Sequence, residues 1–228
     1  MKNKKGILIT IEGGDGSGKA TQSSLLFDFL KKSGNASYFD FPQYGKTVFG
    51  DLTGKALKGE FGDFLHMSPY FSSLPYILDR AVVKDKIILA LKKGNVICNR
   101  YTPSNIGYQA AKLEGKERED LIMFLEKGEY EEIGLPRPDV VIYLDVPRDV
   151  ASNLVLQKEK RDYLGKAGVK DQHEQDLSYQ EKVAEVYRSL AKKRKNWHVI
   201  LCAKNGKILS PEIIHAKILD TLRKKYNP

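Results

Sequence analysis

The chain has 228 residues, 41% of them hydrophobic, which is enough to bury one sizeable core and excludes a chain that stays disordered. Its 38 basic and 29 acidic side chains leave a net charge of +9; the lysines are spread along the chain, which suits phosphate-bearing small molecules better than a nucleic-acid partner. No run reaches the ~18 apolar residues of a membrane span, and the basic residues 1–5 lead into an apolar stretch too short for a signal core, so a cytoplasmic protein with no membrane partner is expected.

In chain order, residues 6–12 read as a buried strand, a short apolar run stopped by glycines. Residues 18–32 read as a helix with Leu25, Leu26, Phe29 and Leu30 on one face and Gly34 as its stop. Residues 36–41 form a second strand ended by Pro42. Residues 68–93 are mostly helical up to Gly94, and residues 95–99 are a third strand. Residues 139–146 are a fourth strand and 197–203 a fifth, with helices expected over 105–113, 118–127, 148–158, 177–195 and 211–225. Cys98 and Cys202 fall in strands and read as buried reduced thiols. Strands alternating with helices imply an α/β fold in three layers, a five-stranded parallel sheet with helices on both faces. No repeat or low-complexity linker interrupts the pattern, so residues 1–228 read as a single domain. In such sheets ligands bind at the carboxyl ends of the strands, and the motifs below fall there.

The sharpest signal is Gly13-Gly14-Asp15-Gly16-Ser17-Gly18-Lys19, set between a strand and a helix. It has the G-x-x-x-x-G-K spacing of a phosphate-binding loop. The glycines let backbone N–H groups turn toward phosphate oxygens, and the helix N-terminus adds positive potential. Lys19 supplies a charge for the β- and γ-phosphates of ATP. The expected ATP-binding residues are Gly13, Gly14, Asp15, Gly16, Ser17, Gly18, Lys19, Ala20 and Thr21. A hydroxyl residue usually follows the lysine and ligates Mg²⁺, whereas here Ala20 follows it and the helical position of Thr21 turns that hydroxyl elsewhere. Mg²⁺, the cofactor expected to accompany ATP, is then held mainly by nucleotide phosphates and water, with no protein ligand assigned.

The run Ile11-Glu12-Gly13-Gly14-Asp15-Gly16-Ser17-Gly18-Lys19-Ala20-Thr21-Gln22 resembles the thymidylate kinase loop, E-G-x-D-G-x-G-K-[ST]-T-Q. Further marks follow in that family's order: Phe41-Pro42, Asp79-Arg80, Asn99-Arg100-Tyr101 with Ser104, Tyr108-Gln109, and Gly134-Leu135-Pro136-Arg137-Pro138-Asp139. The resemblance implies a P-loop kinase fold with a mobile lid, transfer of the γ-phosphoryl of ATP to dTMP to give dTDP, and pairing as a homodimer. It implies that Lys19 and Arg100 are catalytic. It also implies that Asp15, Phe41, Tyr76, Arg80, Arg100, Ser104, Tyr108 and Gln109 bind the acceptor, with Asp15 at the sugar, Tyr76 stacked on the base and Gln109 reading its edge. Tyr76 reads equally well as a core aromatic, and Arg80 also reads as half of an ion pair within its own helix.

The lid is expected over residues 158–172, a polar stretch with Lys158, Lys160, Arg161, Lys166 and Lys170 and two glycines, Gly165 and Gly168. The phosphate loop carries no arginine, so Arg161 is the lid's catalytic candidate. Three positions depart from the family pattern: Ala20, Asn99 where an Asp is usual, and Tyr44 where an Arg is common, with Lys46 a nearby replacement charge; residues 59–62 also look like an insertion. Two other readings remain open at this point, a kinase for another deoxynucleotide or deoxynucleoside and a catalytically weakened nucleotide-binding relative.

Overall fold

A computed structural model describes residues 6–151 and 177–226. Strand β1 (Leu8–Glu12) lies at the centre of a five-stranded sheet with β2 (Ala36–Asp40), β3 (Asn95–Asn99), β4 (Val140–Asp145) and β5 (Trp197–Leu201). The strands are all parallel in the order β2-β3-β1-β4-β5. The inner strands β1 and β4 are nearly continuous apolar runs because both of their faces are covered.

Alternation along β1 divides the core. Ile9 and Ile11 face helices α1 (Lys19–Ser33) and α9 (Pro211–Lys225), packing with Leu26, Leu30, Ile214 and Ile218. Leu8 faces the opposite side, where Ile87 and Leu91 of α5 (Lys84–Lys93) cover it. On that second face α6 (Thr102–Ala110) and α8 (Leu177–Lys193) pack Ile106, Val183, Val186 and Tyr187 against Val141 and Tyr143 of β4. This stacking turns the carboxyl ends of β1, β2 and β3 toward one cleft.

Several elements differ from the sequence pattern. Helix α2 (Val48–Leu57) forms where that pattern marks no element, capped by the Thr47 side chain accepting from Gly50 N–H at 2.8 Å. The expected helical run over 68–93 is three helices, α3 (Pro69–Ser72), α4 (Leu74–Ala81) and α5. Pro75 lacks an N–H and so opens α4 rather than continuing α3. Helix α6 begins at Thr102, and α7 (Gly115–Glu126) runs on into a π-helical turn, Lys127–Glu132. After β5 a small hairpin pairs β6 (Ala203–Lys204) with β7 (Lys207–Ile208) around Asn205 and Gly206, both at positive φ. Residues 148–151 begin the helix expected over 148–158; the rest of it and the lid residues 158–172, Arg161 included, lie outside the described residues. Cys98 and Cys202 are buried and free. Among the described residues no helix is long and apolar enough to cross a membrane.

Candidate active site

The loop from β1 to α1 turns on Gly13, Gly16 and Gly18, whose φ angles are +155°, +73° and +82°. At Gly13 a Cβ would lie 2.6 Å from Ser17 Oγ, so glycine is also required for space. No side chain caps the amides that open α1, which leaves a helix N-terminus suited to phosphate. Lys19 is buried in the loop; its Nζ donates to Gly14 O at 2.5 Å and to Ser17 Oγ at 3.4 Å. Ala20 and Thr21 are exposed on α1.

Arg100 leaves β3 with φ of +63°, a left-handed conformation rare for a residue with a side chain, and its N–H donates to Ile11 O at 3.1 Å. That turn sends the guanidinium back across the loop. It donates to Asp15, to Tyr108 Oη at 3.3 Å and to Ser104 Oγ at 3.4 Å, and lies over the Tyr108 ring at 5.1 Å. Asp15 also accepts from Tyr108 Oη at 2.9 Å and from Gln180 Nε2, on α8, at 3.0 Å. Behind these groups stands Glu12, fully buried, accepting from Ser104 Oγ and from Tyr187 Oη at 3.3 Å. Burial pushes its carboxyl up to about 7, against the Ser104 hydrogen bond and the charges of Arg100 and Lys19.

The loop opens onto a cleft between the ends of β2 and β3 and the helices that follow them. All eight acceptor candidates line it: Asp15, Phe41, Tyr76, Arg80, Arg100, Ser104, Tyr108 and Gln109. Their chemistry there is uneven. Arg80 is buried and gives Nε and Nη2 to Glu129 at 2.6 and 2.7 Å, a partner 49 residues away rather than one in its own helix. Burial works against its charge, and the Glu129 carboxylate more than restores it. Gln109 is buried with its amide engaged by Ser72: Oε1 accepts from Ser72 Oγ at 2.7 Å and Nε2 donates to Ser72 O at 3.4 Å. Ser72 in turn accepts from Lys112 Nζ at 2.9 Å. Tyr76 packs beside Phe64, ring centroids 6.3 Å apart, and keeps a face on the cleft. Tyr44 is half exposed at the rim.

Sequence reasoning missed two groups. Asn105 lines the cleft, gives Nδ2 to Glu129 at 3.0 Å and keeps a buried Oδ1 with no partner. Glu129, in the π-helical turn, collects Arg80, Thr102 and Asn105; nothing in local spacing points from residue 129 to residue 80. Asn99 donates to Asp40, its register partner on β2, at 2.7 Å, so a carboxylate stands one strand away from where the family pattern puts it. Burial raises the Asp40 pKa, while Asn99, Lys46, Arg100 and Lys19 oppose that shift. Asp145, at the end of β4, is paired with Arg188 at 2.9 and 3.2 Å. Among the described residues no three His, Cys, Asp or Glu side chains group as a metal site.

The family model for thymidylate kinase matches residues 11–217. The thymidylate kinase of Mycobacterium tuberculosis (strain ATCC 25618 / H37Rv) is 35% identical over 188 residues, 81% of this chain and 86% of that protein. That of Thermosipho melanesiensis is 30% identical over 220 residues, 95% of this chain and 98% of its own. The solved thymidylate kinase of Candida albicans superposes with a TM-score of 0.71 at 21% identity, covering 97% of this chain and 93% of that one, and supports the fold. A family match across nearly the whole chain, with a phosphate loop facing one cleft, leads to a single assignment: the chain belongs to the thymidylate kinase family.

Proposed function

We propose that this protein transfers the γ-phosphoryl group of ATP to dTMP, giving dTDP and ADP. The observation that carries the reading is the convergence of Lys19, Arg100 and the uncapped N-terminus of α1 at the mouth of a cleft lined by Asn105, Arg80 and aromatic rings. ATP phosphates occupy the loop, where Lys19 turns from Gly14 O to the β- and γ-phosphates. The acceptor phosphate meets Arg100 and Ser104. The bond to the β-phosphate breaks as the acceptor oxygen bonds to the γ-phosphorus, and Lys19 and Arg100 offset the charge that develops between them.

Thymine fits the inner end of the cleft by its hydrogen-bond pattern. Its N3–H can donate to the unpartnered Asn105 Oδ1. Its O4 can accept from Arg80, whose Nε and Nη2 hold Glu129 while Nη1 has no acceptor among the described residues. Cytosine presents the reverse pattern and would face donor with donor, the kind of mismatch that discriminates strongly in a buried site. Phe41 and Tyr76 supply flat surfaces for the ring. Mg²⁺ enters as part of the substrate MgATP, since Ala20 offers no hydroxyl and no carboxylate cluster stands ready among the described residues.

The partner we propose is a second copy of the chain. Phe71, Leu74, Leu78 and Val82 follow helical spacing along α3 and α4 and are all exposed, with Met123 and Phe124 of α7 also exposed and Tyr70 packed edge-on against Phe124. A continuous apolar stripe facing water calls for a cover, and a stripe that meets its own copy buries itself. Buried free thiols suit the reducing cytoplasm. The test of the activity is a steady-state assay with ATP, Mg²⁺ and a panel of dTMP, dCMP, CMP, AMP and GMP. The highest kcat/KM is expected for dTMP, and a clearly higher value for any other acceptor refutes the reading.

A further inference from the structure

Glu12 takes no part in the transfer just described. It closes β1, is wholly buried and does not line the cleft, yet it touches Ser104 directly and reaches Arg100 through it. Its Oε2 accepts from Ser104 and Tyr187, and the same Ser104 oxygen lies 3.4 Å from Arg100 Nη1. Its other oxygen, Oε1, is buried without a partner. The charged and titratable groups around it come from each packed element: Lys19 of α1, Cys98 of β3, Arg100 after β3 and Tyr187 of α8. Lys19 and Arg100 are the cations of that set. They are also the two side chains that the proposed function sets against nucleotide phosphates, Lys19 with ATP and Arg100 with the acceptor.

We propose that Glu12 is a positioning residue that holds Ser104 and Arg100 from behind, and that nucleotide phosphates engaging Lys19 and Arg100 raise its protonated fraction, with at most one proton taken up from solvent. The inference rests on the nucleotide-binding reading above. Without nucleotide, the two cations help keep a buried carboxylate ionised. Phosphate charge arriving on the far side of them cancels their field at Glu12, while burial still disfavours the anion. A serine hydroxyl both donates and accepts. Once Glu12 carries the proton, Ser104 Oγ accepts from it, and the serine hydrogen, formerly given to Glu12, is released to donate to the acceptor phosphate. No covalent bond other than the new O–H changes. The proton thus converts Ser104 from a group held inward to a donor aimed at substrate.

Burial has already lifted the carboxyl to about 7 in the free protein, and the bound nucleotide lifts it further. Affinity for dTMP is therefore constant well below pH 7 as far as Glu12 is concerned. It falls by up to about tenfold per pH unit above 7 until the pKa of the complex is passed. The phosphate of dTMP, with a second pKa of about 6, titrates below this window. Lys112, lowered to about 8 by burial, titrates within it but is not packed against Glu12.

The experiment is isothermal titration of the full chain with dTMP, at pH values on either side of 8, in buffers of different ionisation enthalpy. Wild-type protein should take up a proton on binding and lose affinity with rising pH. Glu12→Gln should bind dTMP with little uptake and a nearly flat profile over the same range, while effects of Lys112 persist in both. Infrared difference spectra of the wild type give a second reading that needs no variant: a protonated-carboxyl band should appear on adding dTMP. Tight dTMP binding with no proton uptake and no such band overturns the proposal and leaves the kinase reading intact. Absence of dTMP binding overturns both.

Discussion

Replacing Glu129 with alanine removes the acceptor on which four hydrogen bonds converge inside the protein. Arg80 supplies two of them at 2.6 and 2.7 Å, Thr102 one at 2.8 Å and Asn105 one at 3.0 Å, and Glu129 itself has no exposed surface. The variant leaves a guanidinium, 2% exposed, without the carboxylate that is hydrogen-bonded to it. Breaking one partner out of a buried pair costs about 3–5 kcal/mol, because the survivor stays desolvated. For a chain of this length each kcal/mol corresponds to roughly 2–4 °C in Tm, so a fall of roughly 6–20 °C is expected by scanning calorimetry. The double variant Arg80→Met/Glu129→Leu removes both charges and should recover most of that loss. Its dTMP turnover should remain low, since the cleft loses Arg80. A Glu129→Ala protein destabilised by under about 1 kcal/mol would show that the pair is solvated or replaceable, and would refute the reasoning.

Lys19→Ala should keep the fold, since α1 and the core beneath it are untouched, and should lower kcat by on the order of a hundredfold or more; near-wild-type kcat in a rapid coupled assay would remove the loop from the mechanism. Calorimetry of nucleotide-free protein with MgCl₂ should show no binding heat, while activity tracks the concentration of MgATP; tight Mg²⁺ binding would reveal a protein ligand set, with Asp40 the first residue to replace. Phe71→Glu places a charge in the exposed stripe of α3 and α4 and should shift sedimentation from dimer to monomer; an unchanged sedimentation profile would move the interface elsewhere.

Much of this architecture is legible in the amino-acid sequence. The apolar runs of β1, β3 and β4 and the glycine loop between β1 and α1 are local patterns with a direct physical meaning. The eight acceptor candidates come from motifs scattered over nearly a hundred residues, and they line one cleft because the parallel sheet brings successive strand ends together. What escapes the sequence is mostly long-range. Arg80 reads as an acceptor ligand or as half of an ion pair within its own helix until Glu129 arrives from the π-helical turn. Asn105 reads from sequence as a helix-opening residue, whereas α6 begins at Thr102 and so places Asn105 inside the helix, where it lines the cleft. Helix α2 is disguised by Gly50 and Gly54, which look like loop residues. At Gly50 a Cβ would lie 2.3 Å from Gln43 O, so this glycine serves close packing, not a turn. The β6–β7 hairpin has a local signature in Asn205-Gly206, a dipeptide that favours the tight turns joining paired strands.

The left-handed backbone at Arg100 has a consequence for how such a protein changes over time. An L-residue held there costs roughly 1–2 kcal/mol relative to glycine, and the turn persists because it aims the guanidinium across the phosphate loop. A screen that rewards folding yield alone would favour glycine at this position. A screen that rewards growth on limited thymidylate would restore the arginine. Abundance and turnover thus pull residue 100 in opposite directions, as expected where conformational strain is stored at a functional site. Lineages that lose the need for the reaction should relax at this position early, with the protein becoming sturdier as it falls silent.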